Sequence, residues 1–254
     1  MEKALLLIGK SRSGKSTILN TLQFMVGEDN CSHIALKHLN NNVYTAEMVG
    51  KLINIDSEVS KTAKEYEQEF NIVVTGHEVK ANSKFLAPFK FRPFLKMVMA
   101  ANQFPRIQDH SAAFYNRLLI IPCNRVFEPG QQNRDLRSLL TQPEELSGIL
   151  NWALEGLQRL NKRGLFEEKD YMREAVEELR QDNNPIDIFI KEHIQIQTNE
   201  SIEKGFLYQR YQEWCRVNGH NYPMSKAKFG HEFYNNFSQY TPKDTSDPKH
   251  TQHT

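Results

Sequence analysis

The 254 residues are 39% hydrophobic and 25% charged, with a formal net charge of +1. This composition suits one large or two modest globular domains and excludes a disordered or fibrous chain. A balance so near zero demands no polyanionic partner, so any nucleic-acid site must come from local clustering. No apolar run approaches the ~18 residues of a membrane span, and the opening Met1–Ser16 lacks the small-residue cleavage site of a signal peptide. A cytoplasmic protein is expected. Cys31, Cys123 and Cys215 form no CxxC pair, and Cys31 with His33 and His38 lacks a fourth ligand at suitable spacing. Neither a disulfide framework nor a zinc site follows.

In chain order, Ala4–Ile8 reads as a buried strand and Lys15–Val26 as the helix after it. Between them Gly9, Lys10, Ser11, Arg12, Ser13, Gly14, Lys15 and Ser16 match GxxxxGK[ST], with Thr17 next. Glycines let a backbone wrap phosphates, and N–H groups at a helix start point at them. Lys15 is the candidate cation for the β- and γ-phosphates, and Ser16 a hydroxyl ligand for Mg²⁺. Leu52–Asp56 reads as a second strand and Ser60–Phe70 as a charged helix. That strand ends in Asp56 and Glu58, where an ATPase needs a metal-side acid and a base for the attacking water. An extended strand would put both on one face. Glu58 is assigned as the base and Asp56 as the metal-side acid.

From Val79 to Gln108 there is no Asp or Glu, while Lys80, Lys84, Lys90, Arg92, Lys96 and Arg106 alternate with five phenylalanines. Cations for phosphates and aromatic rings for bases are the tools of a single-strand binder. Lys80, Lys84 and Phe85 are candidates for an exposed hairpin tip, and Phe94 for the core. Lys96–Ala101 and Leu118–Pro122 read as further core strands. Asn102 ends the first of these, where an amide can hold water or sense a γ-phosphate. Arg117 starts the second and is a candidate arginine finger.

Pro143 opens a helix whose Leu146, Ile149, Leu150, Ala153, Leu154, Leu157 and Leu160 recur at helical spacing. It is read as core packing that closes a first domain near Gly164. The remainder is helical, with turns at Asn183–Pro185, Asn218–Gly219 and Tyr222–Pro223. Glu203–Val217 and Ser225–Asn235 are two amphipathic helices, the second with Ser225 as N-cap. They suit a helix-turn-helix or winged-helix module, or a helical lid with a solvated basic face. The tail after Tyr240 is polar and read as disordered. The expected class is α/β, a P-loop core over 1–165 followed by a small, mainly helical domain over 166–240 and a tail over 241–254.

The order of these features resembles superfamily III helicases, and more closely the C-terminal motor of phage and plasmid primase-helicases related to the poxvirus type. The resemblance is carried by Gly9–Thr17, Lys51–Glu58, Asn102–Arg106 followed by Asp109, Phe114–Pro122, Leu146–Leu160, Tyr208–Gly219 and Ser225–Gly230. It implies an AAA+-like core, a winged-helix-like C-terminal module, ATP and Mg²⁺ as cofactors, and 3′-to-5′ unwinding. The implied partners are single-stranded or forked DNA, further copies in a hexameric ring, and a primase domain or protein, in the cytoplasm of a bacterial host. By the resemblance Lys15 and Ser16 bind nucleotide and magnesium, Glu58 activates water, Asn102 is the sensor and Arg117 reaches a neighbour's ATP. Two features depart from the pattern. Ser57 separates the acids that many members carry adjacent, and Asn116 stands where some have a second arginine. Members usually carry a primase domain and collar ahead of the motor, so the chain is read as a fragment or a gene reduced to its motor. Two competing readings are a small-molecule kinase and a DNA-binding regulator switched by ATP.

Overall fold

The structure is a computed structural model, and it describes residues 1–60, 67–82, 87–105, 112–194, 202–218 and 223–236. Two compact units divide between Asn183 and Asn184, not at the 165/166 boundary expected from the sequence.

The first unit is built on a five-stranded parallel sheet in the order β2-β3-β6-β1-β7. Its strands are β1 (Ala4–Ile8), β2 (Cys31–Ser32), β3 (Ile53–Asp56), β6 (Lys96–Ala101) and β7 (Leu118–Pro122). A parallel sheet is covered on both faces, so β1 and β7 are apolar throughout rather than alternating. One face of β1 contributes Leu6 and Ile8 to a core with Met97, Met99, Leu118 and Ile120. Helix α3 (Glu67–Thr75) adds Phe70 and Val73 to it, and α7 (Asp170–Asp182) adds Ala175 and Leu179. The other face packs Leu7 with Ile53, Ile55, Val98 and Leu19 of α1 (Lys15–Val26). Because α7 belongs to this first core, the unit extends to Asn183 and the expected boundary falls too early.

A two-stranded antiparallel hairpin, β4 (Val79–Ala81) and β5 (Phe89–Phe91), stands apart from the main sheet. Short helices α2 (Asn42–Thr45), α4 (Ala112–Tyr115) and α5 (Leu136–Leu140) fill connections, and α6 (Pro143–Arg163) follows α5. The expected helix from Ser60 is described only from Glu67, with 61–66 outside the described residues.

Helix α6 opens at Pro143 as expected but has a different setting. None of its residues is buried, and Leu150, Leu154 and Leu157 are exposed, with Trp152 at 70%. Leu146, Ile149, Ala153 and Leu160 are half-buried on the side that meets α1. The reading of α6 as core is therefore corrected: periodicity identifies the apolar stripe, not what covers it. Phe94 is likewise 62% exposed and not a core residue, lying between the buried Pro93 and Leu95, which face inward in its place.

The second unit holds three helices among its described residues: α8 (Pro185–His193), α9 (Lys204–Val217) and α10 (Lys226–Asn236). They enclose Ile186, Phe189, Leu207, Tyr211, Trp214 and Phe229. Phe229 lies on Tyr211 at 4.6 Å between ring centroids. Ser225 Oγ accepts from the Lys228 N–H at 3.4 Å, as an N-cap does. The tail beyond Tyr240 lies outside the described residues. No helix among the described residues is long and apolar enough to cross a membrane.

Candidate functional site

Parallel strands deliver all their C-terminal ends to one edge, and ligands of open α/β sheets bind there, where the strand order reverses. Here the reversal falls at β1. The chain leaves it for β2, β3 and β6 on one side, then crosses to β7 on the other.

The loop of residues 9–14 leaves β1 at that edge. Gly9 is held between the neighbouring strand ends. Its N–H donates to Ala101 O at 3.1 Å, and Cys123 N–H donates to Ile8 O at 2.6 Å. A Cβ at Gly9 would stand 2.3 Å from Cys123 O, so no side chain fits. Arg12 (φ 64) and Gly14 (φ 90) are left-handed, curling the loop back onto the start of α1. No side chain caps α1, so its first N–H groups face the loop's concave side, a ready anion site.

Lys15 is 9% exposed, and its Nζ is enclosed by oxygens. It donates to Gly9 O at 2.6 Å, Lys10 O at 2.9 Å, Ser13 Oγ at 3.3 Å and Asn102 Oδ1 at 3.1 Å. All four partners are neutral. A buried ammonium held only by neutral acceptors sits in a site suited to an added anion. Ser16 and Thr17 follow in the first turn of α1. Asn102 is thus brought to Lys15 across the gap between β6 and β1.

The two acids separate. β3 stops at Asp56, and Ser57 and Glu58 turn away, so the acids do not share a strand face as expected. Asp56 is 6% exposed. Its Oδ2 accepts from the Leu36 N–H at 2.8 Å and its Oδ1 from the Glu58 N–H at 3.3 Å. Burial pushes its carboxyl above the ordinary carboxylate range, against the pull of those two N–H groups and Lys37. Each oxygen thus accepts one backbone N–H. Glu58 is exposed and held at the same edge as the loop, since Val59 N–H donates to Ala100 O of β6 at 2.8 Å.

Arg117 is not brought to Lys15. It precedes β7, and its carbonyl accepts from the Ala4 N–H at 2.8 Å, so it lies at the opposite edge, about 16 Å of strand away. Its Nη1 donates to Ala113 O at 2.6 Å, and Nη2 is 3.8 Å from Glu2 Oε2.

Lys80 is exposed on the hairpin, directly across from Lys90. Lys84 and Phe85 lie outside the described residues. Glu78, Lys80, Lys90 and Arg92 share the exposed face, while Val79 and Phe91 pack inward. Lys90 pairs with Glu78 at 2.6 Å, which holds that carboxyl below its usual range. Lys90 and Arg92 were legible as basic residues, but only strand pairing reveals that they join Lys80.

A cleft of about 590 Å³ opens beside the loop between Gly9, Lys10, Asn102, Asn124, Glu178 and Asp182. Among the described residues no cluster of three or more Asp, Glu, His or Cys is arranged to hold a metal ion. Magnesium is ordinarily held by one or two protein groups plus phosphates and water, and Ser16 fits that mode.

Two family models match parts of the chain. A family of unknown function (DUF5906) matches residues 7–117, and the Poxvirus D5 protein-like family matches residues 181–253. No curated protein matches. Among solved structures, an A-form apo structure of the NrS-1 C-terminal region is 21% identical, with a TM-score of 0.46 over 57% of this chain and 34% of that one. Another apo structure of the NrS-1 C-terminal region is 17% identical, with a TM-score of 0.44 over 71% of this chain and 54% of that one. A crystal structure of JCV helicase with a bound phenoxyphenyl acetamide is 16% identical, with a TM-score of 0.32 over 90% of this chain and 56% of that one. The chain thus spans between a third and somewhat over half of the structures it matches. Its similarities run to a poxvirus D5-like segment at the C-terminal end and to a helicase.

Proposed function

We propose that the chain is a P-loop ATPase, the motor of a DNA helicase that works as a ring, in replication of a phage, plasmid or other mobile element.

ATP, bound through its phosphates, is the substrate, and single-stranded DNA is the track. The observation that carries this reading is the Lys15 ammonium, buried at the start of α1 among Gly9 O, Lys10 O, Ser13 Oγ and Asn102 Oδ1. Phosphate oxygens are better partners for an ammonium than those neutral groups, and the free N–H groups of α1 point the same way.

In this reading residues 9–17 hold the phosphates and Lys15 neutralises them. Asn102 orients the γ-phosphate or the attacking water, and Glu58 takes the water's proton. Ser16 would hold magnesium, which when bound supplies further positive charge to the phosphate oxygens. Asp56, the metal-side acid of the resemblance, keeps a free lone pair on each oxygen for that role and also holds the turn that carries Glu58. Lys80, Lys90 and Arg92, together with Lys84 and Phe85 of the same basic, aromatic stretch, track the DNA backbone and bases. Arg117, too far from its own Lys15, serves a neighbour's site in a closed ring, of six subunits by the resemblance. The winged-helix-like module and a primase partner belong to the same proposal.

The cleft beside the loop favours a second reading, a small-molecule kinase whose acceptor would lie there. One experiment separates the two: ATPase rate with and without single-stranded DNA, alongside molar mass with ATP. The motor reading expects DNA to raise turnover and ATP to raise the mass, with Lys15→Ala silent in both. Turnover indifferent to DNA in a monomer would overturn it.

A further inference from the structure

Glu58 follows β3 and Asn102 follows β6, both on one side of β1 in the order β2-β3-β6-β1-β7. The end of a triphosphate where the bond breaks belongs with the acid and the amide. Sugar and base must then leave toward the other neighbour of β1, which is β7. The segment after β7 lies across the loop at that point. Phe127 N–H donates to Arg12 O at 3.0 Å. Its ring edge comes up to Gly14, with Cε2 4.0 Å from where a Cβ on that glycine would stand. The Arg125 guanidinium lies over the same ring, 4.8 Å from its centroid. Phe127 is half-buried and Arg125 exposed. A ring fixed at its edge, with a flat cation on its open face, is a stacking surface that another flat group can occupy.

We propose that Phe127 is the platform for the nucleotide's base, which takes the place now held by the Arg125 guanidinium. The inference rests on the proposed nucleotide site and adds the position of the base, which phosphate contacts leave open. The ligand class is a purine nucleoside triphosphate. Stacking reads the face of a base and not its hydrogen-bonding edge, so the platform favours the larger rings without separating adenine from guanine.

The test compares ATP with inorganic tripolyphosphate, which has the phosphates and no base, by calorimetric titration. Phe127→Ala should weaken ATP binding by about tenfold or more and leave tripolyphosphate binding unchanged. Phe127→Trp should keep ATP affinity, and ATP but not tripolyphosphate should quench its added fluorescence above the background of Trp152 and Trp214. Unchanged ATP affinity in Phe127→Ala would overturn the platform. So would equal losses for both ligands together with an unquenched tryptophan, which means a damaged loop and no stacking. A wild-type protein that binds neither ligand would instead overturn the nucleotide site itself.

Discussion

Asp56 and Glu58 leave the same strand end and meet opposite surroundings, one buried against backbone N–H groups and one exposed. Glu58→Gln should keep ATP bound and cut turnover by at least ~10²-fold, as loss of a general base does. Asp56→Asn should act on the fold as well. An amide offers one oxygen where two N–H groups need acceptors, so its nitrogen must face the Leu36 or the Glu58 N–H. The expected cost is about 1–3 kcal/mol of stability, read by denaturant unfolding. The pH dependence has a definite sign. With its pKa raised from 3.8 in the folded state, Asp56 holds its proton longer folded than unfolded. Its contribution to stability therefore falls as pH rises from 3.8 through the raised value, and Asp56→Asn should remove that slope. Were turnover lost in Asp56→Asn and kept in Glu58→Gln, the roles would be reversed. The paired acids were legible in the sequence because a strand end with two carboxylates is a local pattern. Which one turns inward was not, since it depends on Leu36, a residue far away in the chain whose N–H needs an acceptor.

At the scale of elements, the bounds of β1, α1, β6 and β7 and the start of α6 were legible to the residue. Each is a local contrast between a periodic apolar run and a Gly, Pro or polar break. The coverage of α6 was not legible, because its stripe is wide enough to face two ways and only one side meets α1. The hairpin carries the prediction of this scale. Lys80 and Lys90 stand directly opposite each other, an arrangement that costs stability in an antiparallel pair and is relieved only partly by Glu78. Lys80→Ala should therefore leave the melting temperature level or slightly raised. In the proposed motor it should also weaken single-strand binding and flatten the salt slope by roughly one counterion. A weaker single-strand binding and a flatter salt slope are expected for Lys84→Ala as well. Unchanged salt slopes would return these lysines to the solvated surface.

For the whole molecule, a core followed by a small helical unit was legible from the change in texture along the chain. The boundary was not, because the amphipathic pattern of α7 does not say which of two cores it joins. Arg117 gives the prediction at this scale. Arg117→Ala should bind ATP almost normally and hydrolyse it slowly, with a loss of ~10³-fold or more. Mixed with Lys15→Ala subunits, it should regain part of its activity, since each variant keeps the group the other lacks. An inactive mixture, with mixed oligomers verified by mass, would exclude the shared site. In the proposed ring, the distance between Lys15 and Arg117 has a kinetic consequence. A catalytic centre split between two molecules obeys mass action, so its turnover per subunit should fall on dilution and recover on concentration. At low copy number the isolated subunit would spend little ATP, and its own abundance would set when it begins to work.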